Sequence, residues 1–201
     1  MTILHLDSSP RGERSHSRQL TRAFVQELQQ THTGSTVVYR DLGHNPPSHV
    51  DETWIAATYS DPSTHGPDHI AALKESEELI AEMVNADLIV VGVPMYNFSI
   101  PSTLKAYIDQ IVRPGRTFAY PSYEGLVTGK KMFLLQARGG GGYGAGEQME
   151  QVNHQDTYLR AIFGLIGIKD IEVLNDEKTL SNESNLDGSI DKAKQLADAV
   201  A

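Results

Sequence analysis

Serine, histidine and arginine side chains are concentrated in one short segment near the start of the chain. Residues 7–17 read Asp-Ser-Ser-Pro-Arg-Gly-Glu-Arg-Ser-His-Ser, between an apolar run and a helical pattern. A helix N-terminus attracts phosphate, because it presents free backbone N–H groups and the positive end of the helix dipole. Hydroxyl donors at Ser9, Ser15 and Ser17, with an arginine as counter-charge, would strengthen such a site. The alternative is that a serine only caps the helix and the arginines are solvated.

A second candidate segment follows the most apolar run of the chain. Residues 92–101 read Gly-Val-Pro-Met-Tyr-Asn-Phe-Ser-Ile-Pro. The two prolines restrict the backbone at either end, and the exposed backbone groups flanked by Tyr96 and Phe98 suit a flat heteroaromatic ligand. We expect the Asn97 side chain to hold this turn by bonding nearby main chain, or to contact the ligand itself. The alternative is that the two aromatic rings only pack against neighbouring helices.

The third segment is rich in glycine. Arg138 is followed by six glycines within residues 139–146, which formally contain a G-x-G-x-x-G pattern. This pattern does not indicate a dinucleotide site, because it follows the fourth predicted strand and no acidic residue stands near position 164 to bind a ribose. Glycines do let a ligand approach the backbone closely. A flexible surface loop is the other interpretation.

The elements that would position these segments alternate between short apolar runs and helical patterns. Predicted strands cover residues 3–6, 37–39, 88–93, 132–135 and 168–174. Each is followed by helical spacing, so we predict an α/β fold with a doubly wound, five-stranded parallel sheet and helices on both faces. Ligands of such sheets bind outside the carboxyl ends of the strands, where all three segments lie. Two long irregular segments, about 42–68 and 113–129, are expected to be functional or interfacial.

Length and composition restrict the class of protein. The 201 residues suit one domain, 1–201, and the absence of cysteine excludes disulfides, thiolate metal sites and thiol nucleophiles. Lys and Arg number 17 against 26 Asp and Glu, a net charge of −9 that argues against nucleic acid and against an anionic membrane. No run approaches the roughly 18 apolar residues of a membrane span. The N-terminus reads as a strand and not as a signal peptide, so we expect a cytoplasmic protein.

Other chemistries find little support. His65 and His69 have helical spacing, but Gly66 and Pro67 separate them, and no metal site is predicted. The sequence has no G-x-S-x-G motif, which argues against a serine hydrolase. The segment most similar to a Walker phosphate-binding motif, 125–131, is one residue too short between its glycines and lacks the final Ser or Thr, which argues against a kinase or nucleotidase. A receiver domain would need several acids at the strand ends, and Asp7 alone is so placed. We expect Asp7 to be a turn residue.

Four motifs together resemble one family. They are Pro94-Met95-Tyr96-Asn97-Phe98, the Ser8-Ser9…Ser15-His16-Ser17 loop, Gly125-Leu126-Val127-Thr128-Gly129-Lys130-Lys131 and Arg138-Gly139-Gly140. In these the chain resembles the FMN-dependent NADH-azoreductases, which are flavodoxin-like and also act as NAD(P)H:quinone oxidoreductases. The resemblance extends from the first strand to the end of the chain.

The resemblance implies a set of cofactor-binding residues. The FMN phosphate would be held by Ser9, Ser15, His16 and Ser17. The isoalloxazine would be lined by Met95, Tyr96, Asn97 and Phe98, with the backbone at Asn97 near flavin N5. The pyrimidine edge would be bound by Ala137, Arg138, Gly139 and Gly140, although Ala137 stands where the family often has serine and so lacks a hydroxyl.

The resemblance also implies a homodimer with a shared site. Phe118 and Tyr120 would then cover the flavin of the partner chain, so Asn97 and Tyr120 are the residues expected next to the reacting ring. The implied reaction is a ping-pong, two-electron transfer from NADH or NADPH through flavin N5 to quinones and aromatic azo compounds, without a dedicated acid or base. An FMN electron carrier or flavin-binding module without NADH turnover remains the alternative. The natural electron acceptor and the choice between NADH and NADPH stay open.

Overall fold

Five parallel strands form the centre of the molecule. A computed structural model describes residues 1–200. The strands are β1 (Thr2–Asp7), β2 (Thr36–Asp41), β3 (Leu88–Pro94), β4 (Lys131–Ala137) and β5 (Asp170–Asp176). Their spatial order is β2-β1-β3-β4-β5, and every neighbouring pair is parallel. This order confirms the predicted flavodoxin-like, doubly wound α/β fold and places the topological switch point between β1 and β3.

Within residues 1–200, six α-helices accompany the sheet. They are α1 (His16–Thr31), α2 (Glu52–Thr58), α3 (Pro67–Asn85), α4 (Ser102–Ile111), α5 (His154–Leu165) and α6 (Leu186–Asp198). Helices α1 and α6 pack on one face of the sheet, and α3, α4 and α5 pack on the other. No helix within residues 1–200 is long and apolar enough to cross a membrane.

The side chains of β3 explain why both faces need a helical layer. All seven residues of this strand are buried. Ile89 and Val91 face the layer that contains Phe163 of α5, whereas Val90 faces the layer that contains Phe24 of α1. A strand buried on both sides reads as an unbroken apolar run instead of an alternating one.

The prediction that residues 42–68 are irregular is wrong. This segment contains α2 and a short 3₁₀ turn, Pro62–Thr64. Asp51 caps α2 by accepting a hydrogen bond from the Trp54 backbone N–H at 2.8 Å, and Trp54 packs with Ala57 against Leu73 of α3. With seven residues, α2 is too short to show an i, i+4, i+8 apolar pattern, which is why the sequence did not indicate it.

The expectation that Asp7 is a turn residue is also wrong. Asp7 is the last residue of β1, and its side chain is buried. Its carboxylate accepts hydrogen bonds from the Thr21 hydroxyl at 2.8 Å and from the Tyr39 hydroxyl at 3.1 Å. Asp7 therefore connects β1 to α1 and β2 directly below the first loop.

Several element limits differ from the prediction. Strand β5 begins at Asp170, two residues later than expected, and Ile168 is buried ahead of it. Strands β1 and β2 extend beyond the predicted limits, 3–6 and 37–39, at both ends. These changes leave the order of elements unaltered.

Candidate active site

A cavity of about 170 Å³ lies at the carboxyl edge of the sheet. It collects residues from the loops that follow β1, β3, β4 and β5. Its lining consists of Ser9, Arg11, Ser15, His16, Pro94, Met95, Tyr96, Ala137, Gly139, Thr179 and Leu180. The structure thus brings together seven of the residues that the sequence nominated, from all three candidate segments.

The loop between β1 and α1 presents hydroxyl and amide donors to this cavity. Ser15 caps α1, and its hydroxyl accepts a hydrogen bond from the Arg18 backbone N–H at 3.4 Å. The Ser15 and Ser17 hydroxyls lie 3.1 Å apart, and Ser9, Ser15 and Ser17 are all buried. The N–H groups of His16 and Ser17 begin the helix and so have no intrahelical acceptor. This cluster of donors suits an anion.

His16 is held by a residue from the far end of the sheet. Its Nδ1 lies 2.7 Å from Asp176 Oδ2, and the other carboxylate oxygen of Asp176 accepts a hydrogen bond from the Ser189 hydroxyl at 2.8 Å. Asp176, Thr179 and Leu180 were not predicted from the sequence, and all three lie at or just after the end of β5. The available signal was an aspartate at the carboxyl end of a predicted parallel strand, which must share an edge with the other loops.

The turn after β3 has an uncommon backbone. Tyr96 and Ser99 exchange two backbone hydrogen bonds, of 2.9 and 3.0 Å, so Asn97 and Phe98 occupy the central positions of a tight turn. Their φ angles are +49° and +68°. Asparagine adopts this left-handed region more readily than most residues, but phenylalanine does so rarely. Strain of this kind concentrates at functional sites.

The expected hydrogen bond from the Asn97 side chain to the main chain is not formed. Within residues 1–200 the Asn97 amide has no hydrogen-bond partner, and its positive φ is one that asparagine adopts more readily than most residues. Asn97 lines a second cavity of about 510 Å³, which adjoins the first at Tyr96 and also contains Lys105 and Tyr158. Burial raises the pKa of Tyr158 to about 12, so this phenol stays neutral at physiological pH.

Arg138 supports the glycine loop from below. Its guanidinium is buried and interacts with four side chains, those of Gln136, Gln155, Asp156 and Glu177, at 2.6 to 3.0 Å. The side chain is therefore committed to the protein interior. The backbone carbonyls of Gly139 and Gly140 accept hydrogen bonds from the segment after β5, whereas their N–H groups donate to no protein group within residues 1–200.

Gly139 faces a side chain that lines the same cavity. A Cβ atom at this position would lie 2.8 Å from Leu180 Cδ1, so a side chain there would push Leu180 away from the cavity that both residues line. The missing side chain leaves room for a ligand to reach the backbone donors of the loop.

Tyr120 lies outside both cavities within its own chain. It is 69% exposed, and it forms an aromatic cluster with Tyr123 and Phe118. The ring centroids of Phe118 and Tyr123 are 5.9 Å apart in a stacked arrangement, and Tyr120 meets Tyr123 edge-on. Phe98 is also exposed and does not line either cavity.

Comparisons with known proteins agree with this architecture. Residues 1–200 match a family model described as a flavodoxin-like fold. An FMN-dependent NADH:quinone oxidoreductase 2 of Trichormus variabilis is 50% identical, with 99% of this chain and 98% of the relative covered. An FMN-dependent NADH:quinone oxidoreductase of a Nostoc species is 48% identical, with the same coverage.

Solved structures with a similar fold include two azoreductases. An azoreductase from Bacillus anthracis strain Sterne superposes with a TM-score of 0.87 at 26% identity, covering 98% of each chain. An FMN-dependent NADH-azoreductase of the Ames Ancestor strain, solved in complex with FMN, has a TM-score of 0.89 at 23% identity over 100% of both chains and shares the fold. The chain therefore belongs to the family of flavodoxin-like proteins that includes the FMN-dependent NADH:quinone oxidoreductases.

Proposed function

We propose that this chain is an FMN-dependent oxidoreductase that transfers two electrons from NADH or NADPH to quinones and aromatic azo compounds. One observation carries the proposal. The chain has a net charge of −9, yet the cavity at the switch point is lined by Arg11, His16 and serine hydroxyls and by no Asp or Glu. A cavity lined by cationic and hydroxyl groups, with no carboxylate among its lining residues, suits an anionic ligand.

The chemistry of the lining fits FMN. The phosphate would be bound by the hydroxyls of Ser9 and Ser15 and by the first N–H groups of α1, next to His16. Ser17 lies one layer below and holds the Ser15 hydroxyl. Lines of hydroxyl and amide donors of this kind serve a phosphate dianion better than any neutral ligand.

The ring system would lie between the turn after β3 and the glycine loop. We assign Met95, Tyr96 and the backbone of Asn97 and Phe98 to one side of it. The backbone from Ala137 to Gly140 is assigned to the pyrimidine edge, where the N–H groups of Gly139 and Gly140, which have no partner within residues 1–200, would stabilise negative charge on the ring. When bound, FMN supplies the hydride acceptor at N5 and passes both electrons on, so the protein needs only to orient and polarise it.

We assign the second cavity to the two substrates, which would occupy it one after the other. It adjoins the flavin site at Tyr96 and is roomy and open enough for a nicotinamide and an acceptor to use it in turn, which supports a ping-pong order. Its Tyr158 remains a neutral phenol. No dedicated acid or base is required for this role.

The site is proposed to be completed in a homodimer. Tyr120 and Tyr123 are exposed on the segment 113–129, where they pack with the buried Phe118, and none of the three lines either of the two cavities described above. Exposed aromatic residues of this kind are typical of interfaces. Sedimentation and steady-state kinetics at the same protein concentration test this: a fully active monomer would contradict it.

Affinity and turnover together test the proposed function. The purified chain, 1–201 acting as one domain, is expected to bind one FMN and to prefer FMN to riboflavin, because riboflavin lacks the phosphate. With FMN bound, it should oxidise NADH in the presence of menadione without any added reductase. Binding without turnover would identify an FMN electron carrier, and equal affinity for riboflavin would refute the phosphate site.

A further inference from the structure

A buried arginine lies directly behind the first loop. Arg18, the third residue of α1, is 6% exposed. Its Nε donates a hydrogen bond to the Ser9 carbonyl at 2.7 Å, and its backbone N–H donates to the Ser15 hydroxyl at 3.4 Å. One residue therefore bonds to both ends of the loop that runs from Ser9 to Ser15.

This position is unfavourable for a cation unless it has partners. A positive charge in the first turn of a helix opposes the dipole, and burial of a charge is costly. Asp41, at the end of β2, provides the compensation: one carboxylate oxygen lies 3.0 Å from Arg18 Nη1, and the other bonds Nη2. The Tyr39 hydroxyl also accepts from Nη1 at 3.1 Å, and a carboxylate oxygen of Asp7 lies 3.8 Å away.

Both members of the ion pair are stabilised in their charged forms. Burial acts to lower the pKa of Arg18, but the hydrogen bond to Asp41 and the nearby charge of Asp7 raise it overall. Burial acts to raise the pKa of Asp41, but its hydrogen bonds from Arg18 and His44 hold it well below its usual range. The pair is a permanent feature of the folded chain at neutral pH.

The segment after β2 closes the other side of Ser9. A Cβ atom at Gly43 would lie 2.2 Å from the Ser9 carbonyl oxygen and 2.8 Å from Arg18 Nη2. The Gly43 N–H donates to the Asp7 carbonyl at 3.1 Å, which fixes this close approach. Ser9 thus has backbone on one side and the guanidinium on another, and its carbonyl cannot turn.

We infer that Arg18, held by Asp41, is a positioning residue that fixes the phosphate-binding loop and thereby sets the preference for FMN over riboflavin. The inference rests on the proposed function. The carboxylates of Asp41 and Asp7 lie next to the guanidinium and offset its charge. Arg18 therefore acts chiefly by holding the loop in place and not by attracting the phosphate directly. A loop that is already fixed binds its ligand without an ordering cost, and only the phosphate depends on this loop.

The test is a pair of fluorescence titrations of the apoprotein with FMN and with riboflavin. R18Q removes the charge and the bidentate pairing, and D41N removes the partner at nearly the same size. R40Q is the matched control, because Arg40 also forms a bidentate ion pair, with Glu82 of α3, and α3 packs on the face of the sheet opposite α1. Thermal unfolding shows whether each variant is folded.

We expect R18Q and D41N to weaken FMN binding by about tenfold and riboflavin binding by less than about threefold, whereas R40Q keeps both affinities. If the FMN and riboflavin affinities fall by the same factor, so that their ratio is unchanged, Arg18 is only structural and the inference fails. If R18Q does not fold, D41N alone decides. A wild-type protein without any preference for FMN would overturn the proposed function, whereas variants that keep the full wild-type preference would overturn only this inference.

Discussion

Replacing Asn97 by alanine tests whether the turn after β3 positions the reacting ring. The residue has a φ of +49°, and the next, Phe98, has a φ of +68°. The left-handed conformation costs an ordinary L-residue about 1–2 kcal/mol, and asparagine avoids part of this cost. Alanine therefore favours a shifted turn with a misdirected backbone N–H. We expect N97A to slow hydride transfer from NADH about tenfold, which corresponds to about 1.4 kcal/mol of barrier.

The assay is anaerobic stopped-flow reduction of the FMN-loaded protein by NADH. FMN should still bind to N97A, because the assigned phosphate site lies on another loop, and the flavin absorbance measures occupancy. N97G is the control: glycine accepts positive φ, and the Asn97 side chain has no hydrogen bond to lose within residues 1–200. N97G should stay close to the wild-type rate. An unchanged rate in N97A at full occupancy would mean that the ring is misplaced, and an equally slow N97G would mean that the side chain acts directly.

Three further predictions concern the phosphate loop, the ion pair and the core. S9A should weaken FMN binding by roughly 1–2 kcal/mol, the scale of a hydrogen bond to a charged group, and unchanged affinity in a titration would remove Ser9 from the site. Asp41 has a lowered pKa in the folded chain, so its stabilisation is present above the unfolded value of about 3.9 and is lost as pH falls through the folded value. The urea concentration at half-unfolding should therefore fall when the pH is lowered below about 4, and it should fall less in D41N than in the wild-type protein. An equal fall in both proteins would contradict this. F163A, at a fully buried position of α5, should cost about 3–5 kcal/mol in urea unfolding, and a loss below about 1 kcal/mol would show that the core collapses around the gap.

The fold was predictable because its strongest signals are local. The apolar run of β3 and the Leu20, Phe24 and Leu28 spacing of α1 each indicate an element without reference to the rest of the chain. Once the strands are parallel, their following loops must share one edge, which brought Ser9, Met95 and Gly139 to a single cavity.

The remaining parts of the site depend on contacts between distant residues. Asp176 reaches His16 across 160 positions, and Asp41 meets Arg18 across 23. Each of these carboxylates ends a strand, and no local pattern indicates its distant partner. Helix α2 is too short to show an apolar pattern, and its Trp54 owes its burial to α3 and to Gln110, which accepts a hydrogen bond from the Trp54 ring N–H at 2.9 Å.

The turn from Tyr96 to Ser99 shows a different limit. Its asparagine suggested a side chain that bonds the main chain, which is the usual role of asparagine in turns. In the structure, Asn97 instead has a positive φ, which asparagine tolerates well. Phe98 has a positive φ too, and the conformational preference of phenylalanine would not predict this. Such strain is visible only when the surrounding contacts are known.

An anaerobic titration of the FMN-loaded protein tests the central claim most directly. The protein is desalted after loading, its flavin spectrum is recorded, NADH is added in steps, and menadione follows once the colour is lost. The account predicts that flavin remains bound after desalting, that about one NADH per flavin bleaches it, and that a quinone restores the oxidised spectrum. A protein that retains no flavin, or whose bound flavin stays oxidised in excess NADH, would contradict it.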